Sequence, residues 1–193
     1  MPSKQTNLPD WLPKPLELNH QGLDATCQEA YLIFRRDFIE VPFTFNNKPL
    51  HLFHTPAYFG YIESFWHVIT KEVDSKENSF RIPDFERVLR IPWLRPFLTD
   101  GYKHQELLLL KEEFKKGFKK QVYVWWTEDI GHLFVLKERS KCFELITAYH
   151  INPKQKSFEN KLIKRYQILP VGNIPISSKD CIAFLKQKGV SYC

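Results

Sequence analysis

Several things are missing from this sequence, and each absence narrows what it encodes. The opening segment MPSKQTNLPDWLPKPLELN spreads Pro2, Pro9, Pro13 and Pro15 among polar residues. It lacks the apolar stretch of roughly 7 to 15 residues that a secretory signal needs, so export by that route is not expected. The longest aliphatic run, Leu107 to Leu110, is bounded by Glu106 and Lys111. That falls far short of the roughly 20 apolar residues that cross a bilayer, and no membrane partner is expected. Cys27, Cys142, Cys181 and Cys193 are dispersed with no CxxC pair, which fits a reducing, cytoplasmic setting. There is no HExxH, GxSxG, Walker loop or dinucleotide fingerprint, so metalloprotease, esterase, nucleotide-hydrolase and Rossmann chemistry lack their minimum parts and no cofactor is expected.

What is present describes a folded domain. The 193 residues include 16 Phe, 8 Tyr and 5 Trp, more anchoring surface than a disordered chain carries. Lys and Arg number 28 against 22 Asp and Glu, a formal charge of +6. Most of it has an address: residues 137 to 167 hold eight Lys or Arg and three Asp or Glu, net +5. An anionic partner is therefore permitted.

Along the chain, residues 1–22 read as an arm in which Trp11 and Leu12 can pack against the body, and residues 23–193 as a single domain. After Asp24 as cap, ATCQEAYLIFRRDFIE predicts a helix with Ala30, Phe34 and Phe38 on adjacent turns, ended by Pro42. FTFNNKPLHLF predicts a hairpin turning at Asn46 and Asn47. FGYIESFWHVITKE places Ile62, Phe65, Trp66 and Ile69 at helical spacing and Glu63, His67 and Lys71 on another stripe, so a helix is expected from Phe59. Residues 74–80 read as a polar linker. Asp84 caps a short helix that Pro92 stops, and a further turn begins there. Residues 105–116 predict another helix ending at Gly117. The period then changes: residues 121–127, 132–138 and 142–151 predict neighbouring antiparallel strands. A short helix in FENKLIKRY and one from Ser177 to Gly189 complete an α+β order, a helical N-terminal half packed on a small antiparallel sheet.

His67 is the first chemical candidate, because Glu63 and Lys71 stand one helical turn to either side. The ordinary alternative is a solvated helix stripe. A zinc site from His51, His54 and His67 is disfavoured, since strand geometry turns His51 away and no further ligand has finger-like spacing. In FELITAYHI, alternation groups Phe143, Leu145, Thr147, Tyr149 and Ile151 on one face and Glu144, Ile146, Ala148 and His150 on the other. Thr147 and Tyr149 are then either core residues with satisfied hydroxyls or donors at the mouth of a cleft. The cations Lys154, Lys156, Lys161, Lys164 and Arg165 follow at once, and beside a hydroxyl-bearing strand they suit an RNA backbone.

From Phe43 to Tyr166 the sequence resembles a phage- and plasmid-associated toxin branch (PBECR-like) of the barnase/EndoU/colicin/RelE ribonuclease superfamily. The segments that carry the likeness are FTFNNKPLHLFHTP, ESFWHVITK, DFERVLRIPWLRPFL and HLFVLKERSKCFELITAYHI with its basic continuation. The resemblance implies a metal-independent endoribonuclease toxin, held in check by an antitoxin or immunity protein, that leaves a 2′,3′-cyclic phosphate. It implies that His67 is the helix histidine, that Thr147 and Tyr149 are the hydroxyl residues of the closing strand, and that Lys71 or a cation among Arg81, Arg87, Arg90 and Arg95 clamps the phosphate. The histidine helix departs from related branches by continuing as ITKE, and His150, directly after Tyr149, can stand in for the missing group. Two other classes compete: a non-catalytic nucleic-acid-binding module using the same basic segment, and a protein-interaction factor using the aromatic surplus.

Overall fold

A computed structural model describes residues 8–74, 79–101, 107–113, 119–126, 131–151 and 167–169, with side chains over 8–73, 80–100 and 132–150. Helix α1 (Leu23–Phe34) continues in wider turns over Arg35–Glu40. It starts earlier than its acidic residue suggested: Gly22, at φ 99°, is the N-cap, and Asp24 lies within the first turn. Only glycine adopts that backbone freely. Thr26 Oγ1 donates to the Gly22 carbonyl at 2.9 Å and accepts from the Asn19 amide at 3.0 Å, which fixes the entry of the chain.

Upstream, residues 8–22 dock on the body. Leu12 is buried, the Leu16 amide donates to the Leu89 carbonyl at 2.8 Å, and Trp93 Nε1 donates to the Pro13 carbonyl at 2.8 Å.

Strands β1 (Thr44–Phe45) and β2 (Lys48–His51) form the expected hairpin. Asn46 and Asn47 both take positive φ, 47° and 62°, the conformation of a two-residue turn that asparagine tolerates. Helix α2 is shorter than its periodicity predicts, Glu63–Ile69. Residues 70–74 become strand β3 (Thr70–Asp74), paired antiparallel with β4 (Ser79–Pro83), because β-branched Thr70 and Val73 gain ladder partners there. The linker read over 74–80 is thus partly strand, with residues 75–78 outside the described chain. Helix α3 (Phe85–Leu89) starts where Asp84 accepts from the Arg87 amide; single turns over Ile91–Trp93, α4 (Leu94–Pro96) and Phe97–Gly101 follow.

The predicted helix over 105–116 is instead strand β5 (Leu107–Glu113). Its Leu, Glu and Lys content favours helix locally, but β6 (Lys119–Trp126) pairs along one edge and β9 (Gln167–Leu169) along the other, and a run of leucines serves a strand inside a sheet equally well. Strands β7 (Gly131–Glu138) and β8 (Phe143–Ile151) lie where expected. The sheet order is β1-β2-β8-β7-β6-β5-β9. The chain is α+β, and its sheet is mixed where an antiparallel one was expected, since β2 pairs parallel with β8 through Leu50↔Phe143 and His51↔Glu144.

An irregularity between Val135 and Leu136 changes the reading of β8. Leu136 pairs with Leu145 but Val135 pairs with Thr147, leaving Ile146 as an extra residue. A bulge of this kind resets strand alternation. Phe143 and Leu145 therefore share their side with Ala148 and His150, opposite Leu136, Phe134 and His132, and the continuous face from Phe143 to Tyr149 expected from simple alternation does not form. That side carries the core. Phe134 stacks with Phe97 at 6.3 Å, and Phe45 meets Phe143 edge-on at 5.4 Å; Phe34, Phe65, Trp93 and Phe97 are fully buried among them. Burying each such ring stabilises the fold by about 1.5–3 kcal/mol.

Candidate functional site at the end of helix α2

Among the described residues β2 covers only the first two positions of β8, so the outer edge of β8 beyond Glu144 has no strand against it. Helix α2 packs against β8. The contact is anchored by Thr147, whose Oγ1 donates to the carbonyl of His67 at 3.1 Å. Thr147 thus satisfies one of the orphan carbonyls of the helix end.

Further carbonyls at the helix end are met around Thr70. Its hydroxyl donates to the Trp66 carbonyl at 2.6 Å and accepts from Arg81 Nε at 2.8 Å. Arg81 Nη2 donates to the Thr70 carbonyl at 3.1 Å, and Arg87 donates to that same oxygen. The β3–β4 hairpin delivers both arginines: Thr70 lies opposite Pro83, and the Asp84 amide donates to the Ile69 carbonyl at 2.8 Å, which starts α3 beside the end of α2. Cations at a helix C-terminus are favoured by its dipole. Arg87 then lies over the ring of Tyr149, 5.0 Å from its centroid.

Four expected residues, His67, Arg81, Arg87 and Tyr149, are therefore linked through Thr70 and Thr147. The His67 side chain is 36% exposed, with Nε2 3.9 Å from Glu63 Oε1. Burial and then the Arg81 guanidinium hold its pKa below the usual histidine value, against the opposing pull of Glu63 and Glu72. The imidazole is neutral at pH 7. Burial raises the Tyr149 pKa, with Arg87 pulling the other way, so its phenol keeps its proton. Burial also lowers the Arg87 pKa, yet an arginine remains a cation at neutral pH. Lys71 is at the same junction and pairs with Asp84 at 3.1 Å.

The remaining candidates separate. Arg90 pairs with Glu86 and lies over the Trp93 ring at 5.1 Å. Arg95 donates to the Asp37 carbonyl, covers Phe43 and borders another cleft, of about 480 Å³, with Pro13, Pro92 and Thr99. His150 sits across from His132 in the β7–β8 ladder. Lys154, Lys156, Lys161, Lys164 and Arg165 lie outside the described residues, as do the helices expected near them. Among the described residues, no three His, Cys, Asp or Glu group closely enough to hold a metal ion, and His51 and His54 are both exposed.

Two residues of this region escaped the sequence reading. Thr70 falls within the helix expected from Phe59, although a β-branched residue followed by Lys-Glu-Val carries a strand signal. His132 shares a strand side with Phe134 and Leu136, and that alternation marks it as a core position. It is buried, edge-on to Trp93 at 5.6 Å and Phe97 at 5.2 Å, and neither ring nitrogen has a hydrogen-bond partner.

Comparison with known family models, with curated proteins and with solved structures returns no match.

Proposed function

We propose that this chain is an endoribonuclease that cleaves RNA by transesterification, with no metal in the reaction. The observation that carries the reading is a part-exposed, neutral His67 within reach of the Arg81 charge, at a helix end where Arg81 and Arg87 both donate to uncharged oxygens of Thr70. A guanidinium bound to a carbonyl or hydroxyl keeps its charge for an incoming anion, whereas one locked to a carboxylate does not. His67 removes the proton from a ribose 2′-hydroxyl. The resulting oxygen attacks phosphorus, the bond to the 5′-oxygen breaks, and a 2′,3′-cyclic phosphate and a 5′-hydroxyl result. Arg81 stabilises the charge on the phosphoryl oxygens, with Arg87 adding to the local field, while Lys71 is engaged by Asp84. Tyr149, whose phenol keeps its proton, donates that proton to the departing 5′-oxygen. A toxin role and a neutralising antitoxin belong to the same proposal and rest on the resemblance of the quoted segments.

A second reading, a nucleic-acid-binding module without catalysis, is favoured by two engaged groups: the Thr147 hydroxyl is spent on the His67 carbonyl, and Lys71 on Asp84. The two readings part in one experiment. Purified protein incubated with mixed single-stranded RNAs in chelator should generate 2′,3′-cyclic phosphate ends, and His67→Ala should slow this by roughly 10²–10⁴-fold while still binding RNA. Salt-sensitive binding without product by either protein supports the binding module, and equal cleavage by both removes His67 from the mechanism.

A further inference from the structure

Immediately before α2 the chain makes a tight reversal that the helical reading missed. Tyr58 and Tyr61 exchange both backbone hydrogen bonds at 2.9 Å, and Phe59 and Gly60 form the two-residue turn with φ 52° and 82°. Position one of such a turn belongs to Asn, Asp or Gly; a bulky residue at positive φ is an outlier. Phe59 occupies it and remains 84% exposed, the most exposed large apolar residue among those described. A turn tip that neither suits phenylalanine nor buries it gives no folding reason for the residue.

The ring has one aromatic neighbour. It lies 5.2 Å from the ring of Trp66, which Tyr58 and Tyr61 also flank in near-parallel stacks at interplanar angles of 21° and 12°. The result is an aromatic shelf whose outermost ring, Phe59, faces solvent. Trp66 precedes His67 on α2, so the shelf stands on the same helix as the candidate histidine. Its surroundings are small or polar, with His54, Thr55, Pro56 and Ala57 all exposed. Protein docking sites present a contiguous apolar patch of several hundred square ångströms. A solvent-facing ring on the helix that carries His67 has the form of a base-stacking platform.

We infer that Phe59 stacks an unpaired nucleobase and so places the adjoining phosphodiester of a single-stranded RNA at His67 and Arg81. The inference rests on the RNA reading above and adds to it the preference for single strands. Base stacking tolerates every base, so Phe59 contributes affinity with little sequence preference.

The test uses the full chain carrying His67→Ala, so that no probe is cut, and a fluorescein-labelled oligouridine twelve residues long. Phe59→Asn is the informative variant, because asparagine suits positive φ: the turn is kept, and thermal unfolding should occur at the same or a higher temperature. Affinity for the oligouridine should fall roughly tenfold, while Phe59→Trp keeps it and binding of a blunt RNA duplex is unchanged. Unchanged oligouridine affinity in a folded Phe59→Asn protein overturns the inference and leaves the RNA reading standing. Absence of any RNA binding by the parent protein, at low salt and with varied sequences, overturns both. A Phe59→Asn protein that keeps RNA binding but loses a protein partner would reassign the shelf to protein docking.

Discussion

His132 is the residue whose chemistry departs furthest from its surroundings. Its buried imidazole faces Trp93 and Phe97, with the charges of Arg90 and Arg87 nearby and His150 across the ladder, and no hydrogen bond reaches either nitrogen. Burial and then the Arg90 charge lower its pKa to about 3. The folded protein thus holds His132 neutral, whereas the unfolded chain takes up a proton below about pH 6.5. His132 therefore contributes no pH dependence above 6.5, and stability declines as pH falls from 6.5 towards 3. At pH 5 the loss is on the order of 2 kcal/mol. Denaturant unfolding at pH 7 and pH 5 should show this difference, and His132→Phe should flatten it while remaining at least as stable at pH 7, because it removes two unsatisfied polar atoms. An unaltered pH dependence in His132→Phe would assign the acid sensitivity to other groups.

At the scale of elements, the junction of α2, β3 and α3 turns on one hydroxyl. Thr70 Oγ1 donates to the last turn of α2 and accepts from Arg81, so Thr70→Val keeps the shape and deletes both links. The expected cost is about 1–2 kcal/mol in denaturant unfolding, together with slower RNA cleavage as Arg81 loses its anchor. Loss of stability with cleavage unaffected would show that Arg81 needs no such positioning. This junction also marks where sequence patterning stops being informative. The Asn46-Asn47 hairpin and the Asp84 cap are legible because one or two residues with special chemistry decide each of them. The change from helix to strand at Thr70 and the strand character of Leu107–Glu113 are decided by partners distant in sequence, Arg81 and Pro83 in one case and β6 and β9 in the other. The bulge at Ile146 is of the same kind: local alternation reads through it, and only pairing with β7 shows that Thr147 and Tyr149 leave the side shared by Phe143 and Leu145.

Across the whole molecule, a helical N-terminal part and a mixed sheet share one aromatic core, and α2 packs against β8. No helix among the described residues is long and apolar enough to cross a membrane. His67, Thr147 and Tyr149 were legible as candidates because histidine and hydroxyl residues stand out in apolar elements. Their convergence was not, since it depends on how α2 packs against β8, a contact between segments some 80 residues apart. Arg81 and Arg87 join them through the β3–β4 hairpin, and Arg95 goes elsewhere because it follows the turn at Pro92. The proposed function uses this convergence for chemistry on the 2′-hydroxyl of RNA. The most direct measurement compares one single-stranded RNA with its all-2′-deoxy counterpart in the same chelator buffer, following strand cleavage and using each as a competitor for binding of the other. The account predicts that the RNA is cut to cyclic-phosphate ends while the deoxy strand stays intact and competes for the site. Equal cleavage of both strands, or cleavage of neither, would contradict it.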